Sequence, residues 1–107
     1  MITITKIFGQ VKPAATTLTD LCVIGAGKEG QGTVKICNQT TAAEKVRVAH
    51  VPSGESIDPK HYVIYDLDIP AGGGASDSFD LPEGATIKVY SAAGHISFTA
   101  EGMEVTT

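Results

Sequence analysis

The sequence predicts an all-β fold: a single antiparallel β-sandwich, jelly-roll or immunoglobulin-like, built from about eight short strands. Three observations predict it. Apolar and polar residues alternate with period two along most of the chain, which places one face of each strand in a core and the other in water. Gly, Pro, Asn, Asp and Ser gather between the alternating runs, in GAGKEG, NQTTAAE, PSGESIDPK, PAGGGAS, LPEGA and SAAG, where turns require them. No long window keeps apolar residues at helical spacing without an interrupting glycine or proline, and the one helix-like segment, TTAAEKV, is too short to stand alone.

Taken in order, ITITKIF alternates Ile with Thr and Lys and predicts an extended arm or edge strand over residues 1–8, with the sandwich domain occupying 9–107. TLTDLCVI is the next strand. In QGTVKICN, Val34 and Ile36 face one way and Thr33, Lys35 and Cys37 the other. In EKVRVAHV, Val46 and Val48 alternate with Lys45 and Arg47. YVIYDLDI sets Val63, Tyr65, Leu67 and Ile69 against Tyr62, Ile64, Asp66 and Asp68. SFDL and TIKVY follow, the latter with Ile87 and Val89 inward. HISFTAEGMEV closes the chain with Ile96, Phe98 and Ala100 inward. Beyond Gly102 its apolar positions move by one, to Met103 and Val105, which predicts a β-bulge at that glycine. PAGGGASDS, residues 70–78, is the most flexible stretch by composition.

A chain of 107 residues fits one domain and hides about two-thirds of its unfolded surface on folding. Its eight basic residues are scattered singly among twelve acids, so no basic stripe offers itself to nucleic acid. Apolar runs are far shorter than the ~20 residues needed to cross a bilayer, and MITITKIFGQ lacks the pattern of a secretory signal. The expectation is synthesis in a cytoplasm. Cys22 and Cys37 lie in apolar strands and read as buried, unpaired hydrophobes.

Candidate chemistry is sparse. GAGKEGQG has glycines that suit an anion, but Lys28 is followed by Glu29 and Gly30 rather than by Ser or Thr and a helix, so it reads as a hairpin loop. His50, His61 and His95 stand at strand ends, far apart in sequence, and read as exposed rings rather than metal ligands. Asp66 and Asp68 share a strand face without the spaced oxygens of a calcium loop. No GxSxG is present. No enzyme activity, cofactor or metal is expected.

The order of segments carries more. A TLTDL opening, an IGAGK turn, a strand ending in Cys37-Asn38, an RVA strand, YVIYD, an IKV strand and a closing SFTAEGMEV together resemble small structural proteins of tailed-bacteriophage virions. The likeness runs from Phe8 to Val105. Cys22 stands where an aromatic is usual, IGAGK replaces PAGK, and Ala85-Thr86 stand where Gly-Asp is usual. What the resemblance implies is a virion protein made in the host cytoplasm, a capsid decoration or cement subunit that stabilises the shell through intersubunit contacts. The alternative is a tail or baseplate module that binds a host receptor or carbohydrate. Either implies a homo-oligomer, a trimer being favoured, with the major capsid protein or other virion proteins as partners and neither nucleic acid nor membrane. The contact residues expected are Ile2, Ile4, Ile7 and Phe8 in the arm and Tyr62, Ile64 and Tyr90 on the domain.

Overall fold

The computed structural model describes residues 1–106. The described residues form eight strands, β1 (Ile2–Val11), β2 (Thr19–Val23), β3 (Lys28–Asn38), β4 (Glu44–Val51), β5 (Tyr62–Ile69), β6 (Gly74–Leu81), β7 (Thr86–Ser91) and β8 (Ile96–Thr106), with one 3-10 turn at Pro59–His61. They form two four-stranded antiparallel sheets in the orders β1-β8-β3-β6 and β2-β7-β4-β5. Only the β4–β5 connection stays within a sheet; every other link crosses to the opposite one. That order is the double Greek key of a jelly roll, so the jelly-roll form of the expected sandwich is the one adopted.

Period-two alternation explains the core directly. Val34 and Ile36 on β3, Val46 and Val48 on β4, Ile87 and Val89 on β7, and Ile96, Phe98 and Ala100 on β8 meet between the sheets and are buried. Truncating Phe98, which is fully enclosed, removes burial on the order of 3–5 kcal/mol. One end of the sandwich is closed by polar groups that hydrogen-bond completely. The Asn38 amide donates to Ala42 O (2.8 Å) and Ile69 O (3.0 Å) and accepts from the Thr40 N–H (3.0 Å) and hydroxyl (2.8 Å). Nearby, the buried Glu44 carboxylate accepts from the Ser91 hydroxyl and from the His95 N–H. Burial alone would push its pKa up; the hydrogen bonds from Ser91, His95 and Ala93 outweigh that and hold it below the usual carboxylate range.

The two long sides of the sandwich differ. On the β1/β2 side the sheets touch backbone to backbone, because Gly9 leaves no side chain in the way of the Leu21 carbonyl. On the β5/β6 side, His50 of β4 and Asp77 of β6 face each other across the gap, Nε2 to Oδ2 at 3.3 Å, without the alignment of a hydrogen bond. Burial pushes the His50 pKa down, outweighing the attraction of Asp77.

Several expectations need correction. β8 pairs with β3 in unbroken register from Ile96 to Thr106, so Gly102 is not a bulge. The bulge lies in the neighbouring β1, where Phe8 is the extra residue between Ile7 and Gly9. Gly102 stands opposite Gly32, and a methyl on either would run into a backbone carbonyl of the other strand. The inward row therefore continues through Gly102 to Glu104, buried at 3% exposure, while Met103 faces solvent. Cys37 is exposed, on the outer face that its alternation gives it; Cys22 is buried, its thiol pKa raised by burial to about 11. His61 is buried rather than exposed. GAGKEGQG is no hairpin loop: β3 already begins at Lys28, and the short link from β2 changes sheets. Likewise, β6 begins inside the stretch expected to be most flexible.

Candidate interaction surface

β5 is the edge of its sheet and carries two irregularities against β4. Val63 is an extra residue between the pairs Ala49↔Tyr62 and Val48↔Ile64, and Asp66 is another between Arg47↔Tyr65 and Val46↔Leu67. Asp66 has a left-handed backbone, φ 52, which a short hydrogen-bonding side chain tolerates. Each bulge turns the strand over. Tyr62 and Tyr65, three residues apart and so on opposite faces of any regular strand, both reach the outer face and meet edge to face, ring centres 5.1 Å apart.

Arg47 on β4 lies opposite Tyr65 on one side and Tyr90 of β7 on the other. Its guanidinium carbon sits 4.3 Å from the Tyr65 ring centre and 4.4 Å from that of Tyr90, so the cation is held between two aromatic faces. The bulge brings Asp66 to the same fork: Arg47 Nε donates to Oδ1 at 2.7 Å and an Nη donates to Oδ2 at 3.3 Å. Hydrogen bonding from Arg47 keeps the Asp66 carboxyl below its usual range, and Asp66 raises the Arg47 pKa in return. Arg47 thus links Tyr65 with Tyr90, and Tyr62 joins them through Tyr65.

Beside Tyr62 and Tyr65 runs an open groove of about 580 Å³, completed by Ile57, Asp58 and Pro59. Its wall is held by local hydrogen bonds. Asp58 caps the 3-10 turn by accepting from the Lys60 N–H at 3.1 Å, and the Asp58 N–H donates to His61 Nδ1 at 3.0 Å. With Nδ1 accepting, the His61 proton sits on Nε2 and is donated to Glu55 at 3.1 Å. Lys88–Asp20 (2.6 Å) and Lys45–Asp68 (3.1 Å) complete the outer face as exposed ion pairs.

The second apolar surface is at the free end of the other sheet. Ile2 (65% exposed) and Ile4 (47%) stand out on one face of β1, and Ile7 (59%) on the other. Beside Ile4, its cross-strand partner, Glu104 receives Lys6 Nζ at 2.7 Å and Lys28 Nζ at 3.4 Å, the hydrogen bond from Lys6 doing most to lower its pKa.

Of the expected contact residues, Tyr62 and Tyr90 lie on the aromatic surface, Ile2 and Ile4 on one face of β1, and Ile7 on its other face. Two do not belong. Ile64 pairs with the inward Val48 and packs against the core, because the bulge at Val63 reverses its face. Phe8 is folded under β1, edge-on to Phe79 at 5.6 Å, and is partly buried. Arg47 and Tyr65 were not anticipated; the odd spacing of Tyr62 and Tyr65 was the available hint of a bulge. Among the described residues, no three His, Cys, Asp or Glu side chains group as a metal site would require.

Comparison with protein-family models, with curated proteins and with solved structures returns no match for this chain. Nothing in these comparisons links the chain to phage virion proteins.

Proposed function

We propose that this chain is a structural protein of a bacteriophage virion, a decoration or cement subunit that stabilises the capsid by covering surface on its neighbours. The observation that carries the reading is the row Tyr90, Arg47, Tyr65, joined by Tyr62, on an exposed sheet face. Tyr and Arg are the side chains that most often dominate binding at protein interfaces. Here they are already ordered by stacking and by Asp66, so docking costs less conformational entropy. The segment order supplies the virion context. The jelly roll adds only an analogy of fold, since that fold serves capsid and lectin domains alike.

In this reading the chain acts by contact rather than catalysis, is made in the host cytoplasm and ends in the virion beside the major capsid protein. Mass spectrometric copy number in purified virions tests it. A number comparable to that of the shell subunit is expected, and absence from the particle contradicts it. The groove between Tyr62, Tyr65 and Pro59 favours one other reading, a tail module holding a sugar ring against those tyrosines. A glycan array separates the two, because a cement subunit leaves it silent.

A further inference from the structure

Each sheet has two edges, and three of the four carry features that block pairing with another strand. β5 has two bulges and the left-handed Asp66. β6 places Asp77 and Asp80 along its length. β2 is five residues long and bulged between Asp20 and Cys22. Bulges, charges and short length are the usual devices that keep sheet edges apart. The first half of β1 has none of them. From Ile2 to Ile7 it pairs with β8 in regular register, it alternates Ile and Thr, and its one side-chain charge, Lys6, is bound to Glu104 of the same chain. A regular, β-branched strand without free charge is a template for another strand.

We propose that β1 pairs antiparallel with β1 of a second copy, joining two four-stranded sheets into one continuous eight-stranded sheet across a two-fold axis at Ile4. The segment is self-complementary in that register. Ile4 meets Ile4 of the second copy, Thr3 meets Thr5, and Ile2 meets the aliphatic stem of Lys6. Cross-strand Thr pairs and β-branched pairs are favourable neighbours. Because Lys6 is neutralised by Glu104, no like charges oppose each other, whereas a strongly acidic or basic foreign strand finds no complementary charge here. Antiparallel self-pairing closes with two copies, so this edge favours a dimer where the segment resemblance favoured a trimer.

The inference deepens the reading of the chain as an assembly protein, yet its test needs no virion. Analytical ultracentrifugation of the full chain is expected to show a dimer, and Ile4→Lys, which places a charge on the axis, to yield a monomer with unchanged far-ultraviolet circular dichroism. In a Cys37→Ser background, Ile4→Cys is expected to cross-link two copies under mild oxidation, with the bond mapped between two copies of the peptide containing residues 1–6. Directly opposed residues of an antiparallel pair lie within disulfide reach. Should Ile4→Lys fail to fold, hydrogen exchange of the wild-type chain replaces it: amides of residues 2–7 gain protection as concentration rises. A wild-type chain that stays monomeric, or a dimer whose β1 amides exchange as in the monomer, overturns the proposal.

Discussion

The aromatic face of β4, β5 and β7 and the free end of β1 are both exposed and both rich in apolar atoms, but their polar groups are arranged in opposite ways. On the aromatic face each charge has a partner on the surface itself: Arg47 with Asp66, Lys45 with Asp68, Lys88 with Asp20. Its edge strand is bulged twice, so it offers side chains and withholds its backbone. At β1 the charge is drawn sideways to β8, where Glu104 gathers Lys6 and Lys28, and a regular backbone edge is left with Ile and Thr on it. The difference separates two modes of recognition. One surface suits a partner that reads shape and aromatic contact, the other a partner that adds a strand.

The β1 region is the easier to break. Gly102→Ala, on the strand that pairs with β1, puts a methyl into the carbonyl of Gln31 on β3. Urea unfolding is expected to show a loss of about 3 kcal/mol, since backbone on both strands must move. At the aromatic face the comparison predicts the reverse pattern. Arg47→Ala is expected to leave the fold intact and, under the proposed decoration role, to weaken binding to shells stripped of this protein by roughly tenfold or more, read by co-sedimentation. Equal loss of stability and binding would mean that Arg47 is a folding residue.

Acid acts on both regions together. Glu104, Glu44 and Asp66 have folded pKa values below their unfolded ones, so their stabilisation is complete above the ordinary carboxylate range near ~4 and disappears as pH falls through it. His50 is also lowered, by burial; the unfolded chain takes up its proton first, so stability begins to fall just below ~6.5. Thermal unfolding against pH is expected to show both stages, and His50→Gln to flatten the upper one alone. The smallest effect belongs to Asp68→Asn. Its exposed pair with Lys45 is worth no more than about 0.5 kcal/mol, within the error of most denaturant titrations.

The strands were legible in the sequence because alternation is a local property. Val34, Ile36, Val46, Val48, Ile87, Val89, Ile96, Phe98 and Ala100 could be assigned inward from their neighbours alone. What could not be read depends on the partner strand. Tyr65 and Ile64 exchanged faces because the bulges at Val63 and Asp66 exist only relative to β4. Glu104 looked like an outward residue flanked by apolar ones; its burial follows from Lys6 and Lys28, which lie far away in sequence and adjacent in the sheet. His61 looked exposed because its burial is set by Glu55 and the Asp58 cap rather than by any periodicity. The strand order was closed to sequence reading for the same reason, since six of the seven connections leave the sheet. For the exposed surfaces, the sequence pointed to Tyr62, Tyr90 and the isoleucines of β1 but not to Arg47, the residue that joins Tyr65 to Tyr90.

The central claim is that both surfaces are covered when the molecule works. Hydroxyl-radical footprinting of Tyr62, Tyr65 and Tyr90, combined with hydrogen exchange of residues 2–7, can be compared between the free chain and purified virions. The account predicts protection of all three rings and of the β1 amides in the particle. Rings and amides as reactive there as in the free chain would contradict it.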